Sequence, residues 1–152
     1  MKLAIIGSRT CPPIDIEALL KYIPDTIVSG GAKGADTYAR ELAQKHGLQL
    51  IEFLPEYDKY PPKQAPLIRN KQIIENCDCV LALWDGTSRG TKFTIDYAVQ
   101  MQKPVKIFGQ MKFICNFTPQ YKTYHLTCGG CTTKVEPPAP FFELIGFTRT
   151  NC

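Results

Sequence analysis

Histidine is nearly missing from this chain, with only His46 and His125 among 152 residues. Neither stands beside an evident nucleophile, and no His-rich spacing suggests catalytic zinc, so the familiar triads and zinc-hydrolase centres are set aside. Long apolar runs are missing as well. The stretch Cys79–Trp84 is far shorter than the ~20 residues a membrane helix needs. Only Leu3–Ile6 separate Lys2 from Gly7, too little for a signal peptide. A cytoplasmic protein with no membrane contact is expected. Charge of one sign is not in excess either. The net charge is +4; residues 1–109 hold 14 Lys/Arg against 12 Asp/Glu, and the remainder holds 4 against 2. Without a basic stripe interleaved with aromatics, nucleic acid is not the partner this composition suggests. The seven cysteines are an odd number, which excludes complete internal pairing and fits reduced thiols better than a secreted disulfide framework.

Glycine, by contrast, is concentrated at the ends of strand patterns. Ser29-Gly30-Gly31-Ala32-Lys33-Gly34-Ala35-Asp36 lies between the apolar run Thr26–Val28 and a helical pattern from Tyr38 to Ala43. A helix start leaves backbone N–H groups unpaired and carries partial positive charge, which suits an anion. Glycine lacks the Cβ that would hold a phosphate away, and Lys33 adds a formal charge. The loop reads as a phosphate cradle, with a tight turn and capping glycines as the plainer alternative. Asp36 suits either a ligand ribose or an ordinary first helical turn.

Residues 1–109 alternate strand and helix signals. Strands are predicted at Leu3–Ile6, Thr26–Val28, Leu48–Phe53, Cys79–Leu83 and Pro104–Phe108. Helices are predicted over Ile16–Ile23, over Ala35–His46 with Gly47 as cap, from Pro66 onward, and over Thr91–Gln102. This pattern predicts an α/β fold, a Rossmann-like, doubly wound parallel five-stranded sheet. Residues 110–152 change character, with Pro119 and Pro137-Pro138-Ala139-Pro140, and read as a small β-rich extension with short strands near 113–115, 121–126 and 142–147.

Such sheets bind ligands beyond the carboxyl ends of their strands, at the point where strand order reverses. If the order is the Rossmann-like 3-2-1-4-5, three loops meet there: Gly7-Ser8-Arg9-Thr10, the cradle, and Asp85-Gly86-Thr87-Ser88-Arg89-Gly90-Thr91. Arg9 offers a planar cationic fork suited to phosphate, or else is a solvated surface arginine. Ser88, Gly90 and Thr91 stand at another helix start and form a second candidate anion seat. Trp84 either stacks on a base or belongs to the core. Arg69 and Asn70, after the loop holding Tyr57, Tyr60, Pro61 and Pro62, complete the candidates. In the extension, Cys115, Cys128, Cys131 and Cys152 include one C-x-x-C knuckle. Four thiolates could hold structural zinc; with one knuckle and a terminal Cys152, unpaired thiols are the reading preferred and no metal is assigned.

Ile5-Ile6-Gly7-Ser8-Arg9, Val28 through Asp36, Arg69-Asn70 and Trp84 through Thr91 together resemble the SLOG superfamily, and within it the small YspA/YpsA-related group. The resemblance covers residues 1–109. It implies a Rossmann-like fold that senses a nucleotide or a nucleotide-derived phosphorylated ligand such as ADP-ribose; no cofactor is otherwise expected. The LOG relatives, which cleave the N-glycosidic bond of nucleotides, imply a hydrolase alternative, with Asp36 or Asp85 polarising ribose or water, and a homodimer. The DprA relatives imply single-strand DNA binding as a third. The LOG enzymes carry a catalytic glutamate where this chain has Thr94, and Asp96 lies about 200° further round the helix. No catalytic residue is therefore assigned.

Overall fold

The structure, a computed structural model, describes residues 1–109 and, beyond them, the backbone of strands 114–116, 123–127 and 131–135. Strands β1 (Lys2–Gly7), β2 (Thr26–Ser29), β3 (Gln49–Glu52), β4 (Cys79–Leu83) and β5 (Val105–Phe108) are parallel and stand in the order β3-β2-β1-β4-β5. Helices α1 (Ala35–His46), α2 (Ala65–Glu75) and α3 (Arg89–Gln100) precede β3, β4 and β5 respectively. The fold is the predicted Rossmann-like α/β architecture.

Alternation along β1 divides the core into two layers, because successive side chains on a strand face opposite ways. Leu3 and Ile5 join Ile27, Leu81, Ala39 and Leu42 on the α1 face. Ala4 and Ile6 join Val28, Val80, Ile73, Ile74 and Ile95 on the α2/α3 face. Both faces are covered, which is why β4, Cys-Val-Leu-Ala-Leu, is buried at every residue. Cys79 is one of these packed residues, and burial raises its thiol pKa to about 12.

Two sequence expectations change. The helix expected over Ile16–Ile23 is a single 3-10 turn, Glu17–Leu19, that starts at Ile16 without a side-chain cap. Pro12-Pro13 and Pro24 leave too little chain between them for a nucleated helix to repay its ordering. Ile16 is nevertheless buried, with Leu19 and Leu20 packed on the same layer, while Ile23 is exposed, so the spacing marked burial at three of its four positions and not a helix. The sheet also gains a sixth strand, β6 (Ile114–Asn116), antiparallel to β5 with Val105 opposite Asn116. Strands β7 (Thr123–Thr127) and β8 (Cys131–Val135) pair antiparallel, Thr127 opposite Cys131. Strand β8 has no counterpart among the sequence expectations, and the strand expected near 142–147 lies outside the described residues. No described helix is long and apolar enough to cross a membrane.

Candidate ligand-binding site

Strand order reverses between β1, which continues through β2, and β4, which continues through β5. At that carboxyl edge a cleft of about 420 Å³ opens. Arg9 and Thr10 line it from the loop after β1, Ala32 and Asp36 from the loop after β2, Arg69 and Asn70 from α2, and Asp85, Ser88, Gly90 and Thr91 from the loop after β4. Gly7 and Ser8 form its floor beside Ile6. Ser8 stitches two strands together: its N–H donates to the Leu83 carbonyl (3.0 Å) and its Oγ accepts from the Asp85 N–H (3.4 Å). Arg9 is exposed.

The loop after β2 is shaped by its own side chains. The Asp36 carboxylate turns back and accepts from the Ala32 N–H (3.0 Å), so that an internal anion already occupies part of the expected cradle. Its Oδ2 stands 3.5 Å from Arg69 Nη1, and both side chains are about nine-tenths buried. The guanidinium rests on Gly30, where an added Cβ would fall 1.3 Å from Nη1. Only a residue without a side chain admits that approach. Gly34 (φ +80°) lies against the Ser8 and Arg9 carbonyls, which joins the cradle to the first loop. Burial raises the Asp36 pKa above the ordinary aspartate value, opposed by the Ala32 amide and the charge of Arg69. Burial also lowers the Arg69 pKa, with Asp36 opposing. Arg69 Nε is buried without a partner, an unmet donor in a group that lines the cleft.

The loop after β4 uses its carboxylate differently. Asp85 accepts from the Thr87 N–H (2.9 Å), the Ser88 N–H (2.8 Å) and Thr10 Oγ (3.1 Å). The Ser88 and Thr87 amides hold its pKa far below the usual carboxylate range. Ser88 caps α3, its Oγ accepting from the Thr91 N–H (3.4 Å) and hydroxyl (3.0 Å). At Gly90 an added Cβ would meet nothing within 4 Å.

The structure therefore brings together at the cleft Gly7, Ser8, Arg9, Asp36, Arg69, Asn70, Asp85, Ser88, Gly90 and Thr91, with Ala32. Ser29, Gly30, Gly31, Lys33, Gly34, Thr87 and Arg89 do not line it; Lys33 and Arg89 are exposed. Trp84 packs against the α2/α3 layer, and its Nε1 donates to the Ser88 carbonyl (3.1 Å). Thr94 is buried, donating to the Gly90 carbonyl (2.9 Å) and accepting from Asn70 Nδ2 (2.8 Å), while Asp96 pairs with Lys92 at the surface. Thr10 lines the cleft with the rest of its loop, while sequence reasoning missed Pro66 and Leu67 as cleft residues. Pro66 stands one helical turn before Arg69, so the i, i+3 rule was an available signal. Among the described residues no group of His, Cys, Asp or Glu could hold a metal ion. Cys128 and Cys152 lie outside the described residues, as do the side chains of Cys115 and Cys131.

Comparison with known proteins adds a family. The family model described as DNA recombination-mediator protein A matches residues 1–83. Among solved structures, DNA processing protein A from Streptococcus pneumoniae superposes with a TM-score of 0.60 at 24% identity, over 70% of this chain and 49% of that one. DNA processing protein A from Helicobacter pylori, described for its single-stranded DNA binding mode, superposes with a TM-score of 0.55 at 24% identity, over 73% of this chain and 66% of that one. The chain thus spans about half of the first neighbour and just under two thirds of the second. No curated protein matches the chain. The expectation that set nucleic acid aside is overturned by the family match and by the Helicobacter neighbour. Net charge averages the whole surface and does not report two arginines gathered in one cleft.

Proposed function

The chain belongs to the DNA recombination-mediator protein A family, and from that membership we propose that its cleft binds the phosphate backbone of single-stranded DNA. The observation that carries the reading is the meeting of Arg9, Arg69 and the α3 N-terminus around one cavity at the strand carboxyl edge. Arginine presents a planar fork that matches phosphate oxygens, and a helix start favours an anion through its unpaired amides. Asp85 is tied back by three hydrogen bonds, which leaves the α3 start shaped but partly neutralised.

Fluorescence anisotropy with a labelled oligodeoxythymidylate tests this. Arg9→Ala should weaken binding roughly tenfold, about 1.4 kcal/mol, and lower the salt slope by about 0.7 for each phosphate that the side chain no longer neutralises. Lys33→Ala should do less, since Lys33 stands outside the cleft. Equal affinity in the wild type and the Arg9→Ala protein would remove the cleft from the account.

A second reading keeps the nucleotide-sensing role implied by the SLOG resemblance, in its YspA/YpsA-related form. It is favoured by the size of the cleft, about 420 Å³, within the range of small-molecule sites, and by the two carboxylates that line it and could accept from ribose hydroxyls. A thermal-shift panel of mononucleotides and ADP-ribose separates the two, because a ligand that binds only the folded form raises Tm.

A further inference from the structure

We infer that Asp36 is a built-in competitor for the incoming phosphate, holding Arg69 so that binding must draw the guanidinium away and leave the carboxylate as a like charge beside the ligand. The inference rests on the cleft being the phosphate site and concerns how that site is regulated.

Three observations carry it. The Asp36 carboxylate sits on the Ala32 N–H and faces Arg69 Nη1 at 3.5 Å, so the same arginine serves both an internal anion and the cleft. Gly30 lets the guanidinium lie against the loop, where any side chain would displace it. Arg69 Nε is buried without an acceptor, so the pairing with Asp36 leaves the guanidinium incompletely satisfied. A phosphate entering the cleft supplies further acceptors, and a charge-assisted arginine–phosphate hydrogen bond is stronger than the long approach to Asp36.

Protonation relieves the charge left behind. A proton from solvent binds a carboxylate oxygen of Asp36, which keeps its other oxygen on the Ala32 amide. Asp36 already binds that proton more readily than an ordinary aspartate because it is buried. The groups facing Asp36 are the Gly30 and Ala32 amides, the Ser29 hydroxyl and Arg69; Arg9, from the loop after β1, and Tyr57, from the loop after β3, act on Arg69. Asp85 stays ionised throughout, and His46 lies at the far end of α1. Phosphate binding should therefore take up a proton and tighten as pH falls.

The test uses the full chain and an oligodeoxythymidylate, whose phosphodiesters and bases do not titrate between about pH 5.5 and about pH 8. At fixed ionic strength the wild type should bind more tightly as pH falls across that range. Asp36→Asn keeps an acceptor for Ala32 but removes the charge. It should bind roughly fivefold more tightly than wild type at about pH 8, with a flatter pH profile. Equal or weaker binding by Asp36→Asn with the wild-type pH profile would overturn the inference while leaving the cleft as the site. Should the variant not fold, calorimetry of the wild type in two buffers of different ionisation enthalpy still decides: net proton uptake supports the inference, and zero uptake overturns it. Absence of binding by both proteins at every pH overturns the site itself and this inference with it.

Discussion

Two loops of the same sheet edge each carry one carboxylate, and the two are held in opposite ways. Asp36, after β2, is buried against Arg69, and its pKa is raised. Asp85, after β4, collects two backbone amides and a hydroxyl, and its pKa is lowered. The residue type is the same; the difference lies in whether donors outweigh the loss of water. Asp85 is a turn-former whose charge is fully satisfied. Asp36 is a buried charge held by the Ala32 amide and one long ion pair, and its inferred response to a ligand rests on that difference.

Arg69→Met sharpens the contrast most. It strands the Asp36 charge and should lower stability by about 3 kcal/mol in urea unfolding near neutral pH, with oligonucleotide binding abolished. The stability deficit should shrink in acid as Asp36 protonates. Gly30→Ala drives a methyl into the guanidinium and should cost about 2 kcal/mol, again with weakened binding. Asp85→Ala removes a turn acceptor and should cost about 1 kcal/mol, since no charge is left stranded.

The pH dependence of unfolding separates the two carboxylates by sign. The folded-state pKa of Asp36 is raised, so its contribution is fully present below the unfolded value of about 3.9 and is lost as pH rises through the folded value. That of Asp85 is depressed, so its contribution is present above about 3.9 and is lost as pH falls through the folded value. Asp36→Asn should flatten the first trend and Asp85→Asn the second; parallel profiles would break the comparison. Gly90→Ala is the smallest effect on the fold, within about 0.5 kcal/mol, because its methyl meets open space. It should still weaken oligonucleotide binding, which separates occupancy of the cleft from stability of its walls.

Much of the fold is legible in the sequence. The extent of α1 and its Gly47 cap follow from helical spacing and glycine at the C-terminus, and β4 from an unbroken apolar run. The 3-10 turn at Glu17–Leu19 is not, because the same spacing serves any segment that buries one side. Glycines 30 and 34 suggest room for a phosphate; in the fold they make room for Arg69 and for the Ser8 and Arg9 carbonyls. Composition points away from nucleic acid, because a total of charges carries no information on where they gather.

By itself, the sequence determined the alternation of strands and helices and the glycine-bearing loops between them, because hydrophobic period and glycine position are local properties of the chain. Strand order, by contrast, is set by pairing between distant segments. Only the tertiary structure decided which charges face the cleft. Arg69 and Asp36 lie on different helices and meet through packing across the sheet edge, and Lys33, nearer to Asp36 in the chain, faces solvent. Burial and pairing arise from neighbours distant in the chain, and they set whether a carboxylate is a structural tie or a responsive group.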